Sequence, residues 1–385
     1  MNKKIKIAYL DQSKIFSGAE NSLKDLITHL DNDRFVAVII FPYPQEHHKR
    51  YERICELKYL NNSTKWWMGS DRWKKPIRGT DLIKRIITGF QLAFWSKKNN
   101  IDIVHVNLCE PKSFWWGFWL KKFKIKSILH IRSEEKKRLP NENTQKQYDC
   151  ILTVSKYVKK RVQEKYKHKH INAIYDSVDF TLNENLLTKN ELYEKLNINI
   201  DKKLISSVGM LQQIKNHEMA IKAFHQLNQE FDNYILLIAG GGLDSELIRL
   251  KKIVNALDLK DNVIFTEKQI DFVNSVYKHS EFIFSLTLPG EAFGRVPFEA
   301  LKFYTPTIVP SEGAALELFE DMKNGFVASP KSLDEVLEKA RFILNNKEKT
   351  LEIINNAYKK FSKLLDPKIY VEHISEYYYE LSKIK

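Results

Sequence analysis

Two glutamates eight residues apart, Glu291 and Glu299, close a stretch that reads SLTLPGEAFGRVPFE over 285–299. The apolar run Phe282-Ile283-Phe284-Ser285-Leu286 predicts a buried strand that breaks at Pro289-Gly290. A helix is expected to open near Pro297, because proline suits a first helical position, where its missing N–H would be unpaired anyway. A glycine-bearing strand-to-helix turn leaves backbone N–H groups at the positive end of a helix, which suits a phosphate. A carboxylate on either side of that turn adds acceptors for hydroxyls. Together they suit a phosphorylated, hydroxyl-rich molecule such as a nucleotide sugar. Two plainer readings stand beside this one. Glu299 near the third helical position stabilises a helix end without any ligand, and Glu291 could be an ordinary loop carboxylate. A glycosidase pair fits less well, since eight helical residues span about 12 Å and acid and nucleophile or base sit about 5–9.5 Å apart.

The elements that must position these residues follow from the rest of the chain. Its 385 residues suggest two domains, each able to bury a full core. Strands are expected at 5–10, 35–41, 101–107, 127–131, 150–154 and 171–175, with helices at 19–30, 80–98, 112–123 and 155–167. The second half repeats the scheme, with strands at 204–208, 234–239, 262–266, 282–286 and 306–309. Its helices are expected at 217–229, 244–257, 271–279, 297–303 and 332–346, then to the C-terminus. Near-continuous apolar strands alternating with helices predict parallel sheets covered on both faces. The division expected is a domain over 1–180, a polar linker over 181–203, a domain over 204–365, and a C-terminal helix over 366–385 packing back on the first domain. Ligands in such sheets bind beyond the strand C-termini.

Charge divides the chain unevenly. Residues 1–180 hold 36 Lys and Arg against 19 Asp and Glu, whereas 181–385 hold 26 against 29. A basic first half points to an anionic partner. Six of the seven tryptophans lie in KWWMGSDRWKK (65–75) and SFWWGFWLKKFKIK (113–126). Trp66, Trp67, Trp73, Trp115, Trp116 and Trp119 beside lysines match a membrane interface. A buried helix over 113–120 would account for the second group equally simply. No nucleic-acid signature accompanies them, and no apolar run is long enough to span a bilayer. Three scattered cysteines (Cys55, Cys109, Cys150) fit a reducing compartment. The start MNKKIKIAYLD enters a strand directly, so no signal peptide is expected and the location expected is cytoplasmic. Asp31-Asn32-Asp33 has the form of a metal-binding DxD, but its place between a helix and a strand predicts a capping turn.

Over most of its length the chain resembles the retaining nucleotide-sugar glycosyltransferases of the family-4 type. Glu291 to Glu299 is similar to that family's E-x7-E signature, and EALKFYTPTIVPSEGAALELFEDMKNGFV follows it as in the family, with Glu317 and Asn324-Gly325 in matching places. SVGMLQQIKNHEMAIKAF (207–224) resembles its phosphate-binding strand, loop and helix, bringing Gly209 and Lys215. LLIAGGGLDSEL (236–247), SGAENSLKDL (17–26), LHIRS (129–133), TVSKYVKKRV (153–162) and YDSVDF (175–180) also correspond. The resemblance implies an α/β GT-B fold of two doubly wound Rossmann-like domains with a cleft between them. It implies that Lys215 and the amides of Phe293, Gly294 and Arg295 neutralise the leaving diphosphate. Glu299 would bind ribose hydroxyls, Glu291 would hold the donor sugar, His130 would contact the sugar from the other domain, and the Gly18-Ala19 backbone would admit phosphates or acceptor.

The resemblance further implies a retaining transferase with no metal and no cofactor, using a nucleotide-sugar co-substrate, UDP-sugar favoured over GDP-sugar. The expected acceptor is a lipid-linked or lipid-embedded glycan of bacterial surface polysaccharide, such as lipopolysaccharide or capsule. An anionic membrane surface is the expected partner and nucleic acid is not, which places the enzyme at the inner face of the cytoplasmic membrane. An epimerase or phosphorylase on the same fold, or a non-catalytic glycan- or membrane-binding relative, remains an alternative. Three positions depart from the family. Met210 stands where arginine is frequent, and methionine cannot supply its bidentate contact. Tyr304 and Ser17 replace glycines.

Overall fold

The structure, a computed structural model, describes residues 3–13, 18–61, 79–110, 113–135, 138–164, 168, 170–182 and 185–383. It divides into two units, one of residues 1–177 with 365–385, the other of 178–364. The first unit is built on β1 (Ile5–Leu10), β2 (Phe35–Phe41), β3 (Glu56–Tyr59), β4 (Ile103–Val106), β5 (Lys126–Ile131), β6 (Cys150–Thr153) and β7 (Ile171–Ala173). Among the described residues these form one parallel sheet in the order β3-β2-β1-β4-β5-β6-β7. The strands are apolar almost throughout because helices cover both faces. The helix Pro367–Lys383 adds Tyr370, Val371, Ile374, Tyr378 and Leu381 to the core formed by β1, β2 and the helix Gly18–Thr28.

The second unit carries β8 (Lys203–Val208), β9 (Tyr234–Ala239), β10 (Val263–Phe265), β11 (Ser280–Phe284), β12 (Thr307–Pro310) and β13 (Phe326–Ala328), in the order β10-β9-β8-β11-β12-β13. Chain direction along each sheet reverses between its two innermost partners, β1 beside β4 and β8 beside β11. These switch points are where doubly wound sheets open a crevice beyond the strand ends. The stretch expected as a linker contains the helix Lys189–Leu196, started by a capping box in which Thr188 and Glu191 satisfy each other's backbone N–H. Its Leu192 and Tyr193 are buried in the second unit's core beside β8 and β9. The strands β3 and β13, absent from the sequence reading, are edge strands of four and three residues, too short for a periodic signal. Asp31 makes the capping turn, its carboxylate accepting from the Asp33 N–H at 2.9 Å.

Candidate active site

In the second unit the residues that the resemblance assigns to the donor gather after β8 and β11. Gly209 follows β8 directly, and its carbonyl is approached so closely by Gly240 that a Cβ there would lie 2.0 Å from the oxygen. Lys215 ends a 3-10 turn, Gln213–Lys215, just before the helix His217–Glu230. Its ammonium pairs with the Glu291 carboxylate, and the Thr287 hydroxyl donates to the same oxygen at 2.6 Å. Burial would raise the Glu291 pKa, but the Lys215 charge and these two hydrogen bonds outweigh it and hold the carboxyl below its usual range. Gly294 crosses over this carboxylate in a left-handed conformation (φ 78°), where a Cβ would meet Glu291 Oε2 at 2.8 Å. Only glycine fits both demands.

Glu299 lies on the six-residue helix Val296–Leu301, which has proline at its start as expected. It accepts from Arg295 Nε at 3.0 Å and from the Tyr277 hydroxyl at 3.1 Å. Phe293 is buried, its ring stacked on Phe298 at 5.1 Å, so the backbone of 293–295 is fixed from below. Two roles that the sequence assigns separately are therefore joined here: Lys215 and Glu291 hold one another, and Arg295 acts through its side chain on Glu299. Beside them the buried His217 accepts or donates with Ser207 Oγ at 2.8 Å and with the Met210 carbonyl at 3.2 Å. Since a carbonyl only accepts, His217 Nε2 is the donor and the Ser207 hydroxyl donates to Nδ1. Burial pushes this imidazole down to about 4. Met210 thus contributes its backbone to the loop.

The first unit places His130 on β5, fully buried. Its Nδ1 lies 3.2 Å from His105 Nε2 and 3.3 Å from Arg132 Nη2. Arg132 forms an ion pair with Asp176, their side chains only 2% and 6% exposed. The guanidinium also donates to Asn107 Oδ1 at 3.0 Å and to the Tyr370 hydroxyl at 3.1 Å. Arg132 lies in the LHIRS stretch and Asp176 in YDSVDF, so both segments were visible in the sequence while their role was not. Tyr370 and Tyr378 come from the last helix and carry no local signal. Gly18 opens the helix Gly18–Thr28, next to a second buried cluster. There the Ser13 hydroxyl contacts both Asp11, at 2.8 Å, and Glu20. Burial first, and Glu20 second, push the Asp11 carboxyl up to about 7.

The six tryptophans separate. Trp66, Trp67 and Trp73 lie outside the described residues. Trp116 is 1% exposed, which corrects its reading as a membrane contact. It shares the inward face of the helix Ser113–Lys122 with Ser113 and Leu120, one turn to either side. Trp115 and Trp119 are half-buried, and Trp119 packs edge-on against Phe90 at 5.2 Å. No cluster of metal-ligating side chains occurs among the described residues.

Two doubly wound sheets with charged groups beyond the ends of their innermost strands are the architecture of a GT-B glycosyltransferase. Residues 16–182 match Glycosyltransferase Family 4, and residues 188–360 match Glycosyl transferases group 1. The chain belongs to the family-4-type glycosyltransferases. It is similar to an "Uncharacterized glycosyltransferase" of Haemophilus influenzae, 29% identical over 53% of this chain and 54% of that one. It is also similar to human Alpha-1,3/1,6-mannosyltransferase ALG2, 28% identical over 50% of this chain and 49% of the relative. The matches thus span about half the length of these curated relatives. The fold is similar to that of Anabaena Alr3699/HepE, solved in complex with UDP and glucose: TM-score 0.82 and 17% identity over 98% of this chain and 100% of that one.

Proposed function

We propose that this glycosyltransferase moves a sugar, with retention of anomeric configuration, from a nucleoside diphosphate donor to a lipid-linked or lipid-embedded glycan. A UDP-sugar is the preferred donor, as UDP and glucose are the ligands of the Anabaena neighbour. The observation that carries the donor assignment is the Lys215–Glu291 pair beyond β8 and β11. Both side chains are about one-fifth exposed (22% and 20%), so the pair is open to exchange with a ligand. In the reaction the anomeric carbon–oxygen bond to the diphosphate breaks and a bond to the acceptor oxygen forms on the same face. The acceptor proton passes to the departing phosphate oxygen. Lys215 and the 293–295 backbone would stabilise the developing charge on that diphosphate. Glu291 would accept from donor-sugar hydroxyls and Glu299 from ribose hydroxyls. His130 and the Gly18 backbone are the first unit's contributions. No metal is invoked.

The membrane reading draws on the excess of positive charge in residues 1–180. It also draws on the helix Gly79–Lys98, where Ile83 and Phe94 are more than half exposed and Leu82, Ile87 and Phe90 are exposed as well. Lys97 and Lys98 end that helix, and Lys122 lies over the Phe118 ring of the neighbouring helix. Among the described residues no helix is long and apolar enough to cross a membrane, so the proposed location is peripheral, at the inner face of the cytoplasmic membrane. A role in bacterial surface polysaccharide synthesis belongs to the same proposal.

Calorimetric titration with UDP, GDP and their sugars, without divalent metal, tests the donor assignment. UDP is expected to bind selectively, and Glu299→Ala to weaken it by about 10- to 100-fold, since a hydrogen bond to a charged group contributes about 1.5–3 kcal/mol. Equal affinity in wild type and variant would remove Glu299 from the donor site.

A further inference from the structure

We infer that Arg132 and His105 fix the His130 imidazole in the neutral tautomer protonated at Nε2, so that His130 presents a hydrogen-bond donor to an oxygen and does not act as a proton acceptor. The inference comes from counting protons. A guanidinium has only donors, so the Arg132 Nη2 contact at 3.3 Å requires the bare lone pair of His130 Nδ1. Arg132 cannot turn away, because its other N–H groups are engaged by Asp176, by the Asn107 side chain and carbonyl, and by Tyr370. His130 Nδ1 also faces His105 Nε2 at 3.2 Å. With one nitrogen already an acceptor, the other must donate, so His105 carries its proton on Nε2. His105 Nδ1 is then bare and accepts from the Tyr378 hydroxyl at 2.7 Å. The Tyr378 oxygen lies 3.2 Å from the Tyr9 hydroxyl.

The protons of Tyr378, His105 and His130 are thereby placed, and the chain ends on one group. His130 Nε2 is buried and has no hydrogen-bond partner among the described residues, so it is the ring atom left for a ligand, and it carries a hydrogen. A second proton on His130 would sit at Nδ1, facing two N–H donors and a buried positive charge. Burial first, then Arg132 and His105, depress its basicity well below the ordinary histidine range, in the same sense. Arg132 and His105 are positioning residues in this scheme, and Tyr378 ties His105 to the last helix. The use of the Nε2 hydrogen on a sugar or acceptor oxygen rests on the proposed glycosyl transfer, whereas the tautomer does not.

The test is a two-bond proton–nitrogen spectrum of the full-length protein with 15N-labelled histidine, recorded from pH 6 to 8 and assigned with His130→Gln and His105→Gln. The expected spectrum shows His130 with hydrogen on Nε2, a bare Nδ1 and no titration. Hydrogen on Nδ1, or a doubly protonated ring in this range, overturns the inference. Arg132→Lys keeps a positive charge beside Asp176 and loses the fork, so both tautomers should become populated. An unchanged tautomer in a folded Arg132→Lys protein overturns the role given to Arg132, and if that variant does not fold the wild-type spectrum still decides. UDP-glucose turnover separates the two readings. His130→Gln, whose amide can reach the Nε2 position, should retain activity that His130→Ala loses by about 10²-fold. Loss of that contrast with the expected tautomer intact would remove the catalytic reading and leave the tautomer standing.

Discussion

The two units treat their charged groups in opposite ways. In the first, Arg132, Asp176, His105 and His130 are sealed inside the protein and hydrogen-bonded in a fixed sequence. In the second, Lys215, Glu291, Arg295 and Glu299 form two pairs at the mouth of the sheet, each partner about 12–23% exposed. Buried pairs resist rearrangement because separating them leaves a charge without solvent. Partly exposed pairs contribute little stability and can trade a partner for a ligand at small cost. The first unit is therefore preorganised and the second is exchangeable. An exchangeable pair suits a charged diphosphate that must bind and leave, and a sealed network suits a contact that must hold its geometry.

The strongest way to break this contrast is to remove one member of the buried network. Arg132→Met should destabilise the protein by about 3–5 kcal/mol, because Asp176 is left buried and unpaired. Urea denaturation measures the loss. A cost below about 1 kcal/mol would mean that the Arg132–Asp176 pair is no more sealed than the pairs of the second unit. The corresponding change on the exchangeable side, Lys215→Ala, should leave stability within about 1 kcal/mol while lowering kcat by about 10²–10³-fold. A large stability loss there would show that the Lys215 stem, packed over Gly209, and not its charge, is what the site needs.

Acid separates the contributions further. His105 and His217 are pushed down to about 3 and about 4, and His130 in the same direction, in each case chiefly by burial. Folded chains keep these rings neutral where unfolded chains, titrating near 6.5, take up protons. Their contribution to stability is complete above pH 6.5 and is lost as pH falls toward 3–4, by about 1.4 kcal/mol per pH unit for each ring. Asp11 opposes them. Its raised pKa favours the folded state below 3.8, and that contribution is lost as pH rises through 7. The buried histidines, with His48 also pushed down to about 3, outnumber the one aspartate, so denaturation midpoints should fall as pH drops from 6.5 to 4.5. Asp11→Asn should steepen the dependence and His217→Gln should flatten it. A flat wild-type profile would contradict the buried neutral histidines.

Which of these features the sequence shows depends on whether their causes are local. The strands at 5–10, 35–41 and 234–239 fall where the apolar runs place them, because a strand covered on both faces must be apolar along its length. Glu291, Glu299, Lys215 and Gly294 were visible because a strand, a turn and a helix start impose their own residue types within a few positions. The Arg132 network was not, since Tyr378 reaches His105 across 273 residues of chain, and no spacing rule links them. The helix Lys189–Leu196 was passed over as linker despite its capping box, because only the buried Leu192 and Tyr193 and the half-buried Leu196 face the core. Trp116 was misplaced for a related reason: a helix apolar on nearly every side does not reveal which face turns inward.

The smallest effect concerns Tyr304, where the family has glycine, and it tests whether the second unit stores strain close to its site. The helix that carries Glu299 ends in a Schellman arrangement: Thr305 N–H bonds to the Ala300 carbonyl at 3.2 Å and Tyr304 N–H to the Leu301 carbonyl at 2.9 Å. This forces Tyr304 into the left-handed region, with φ 59°, at a cost of about 1–2 kcal/mol for a residue with a Cβ. Its ring stacks on Tyr358 at 4.7 Å and 10°, which returns about 0.5–1.5 kcal/mol. The two terms nearly cancel. Tyr304→Gly loses the stack and the strain together and should be close to neutral. Tyr304→Ala loses the stack and keeps the strain, so it should be less stable than the glycine variant by about 1 kcal/mol. Guanidinium midpoints of the two variants decide it. If alanine proves as stable as glycine, the left-handed turn relaxes when the ring is removed, and Tyr304 itself, through its stack on Tyr358, would be what holds the end of the Glu299 helix in place.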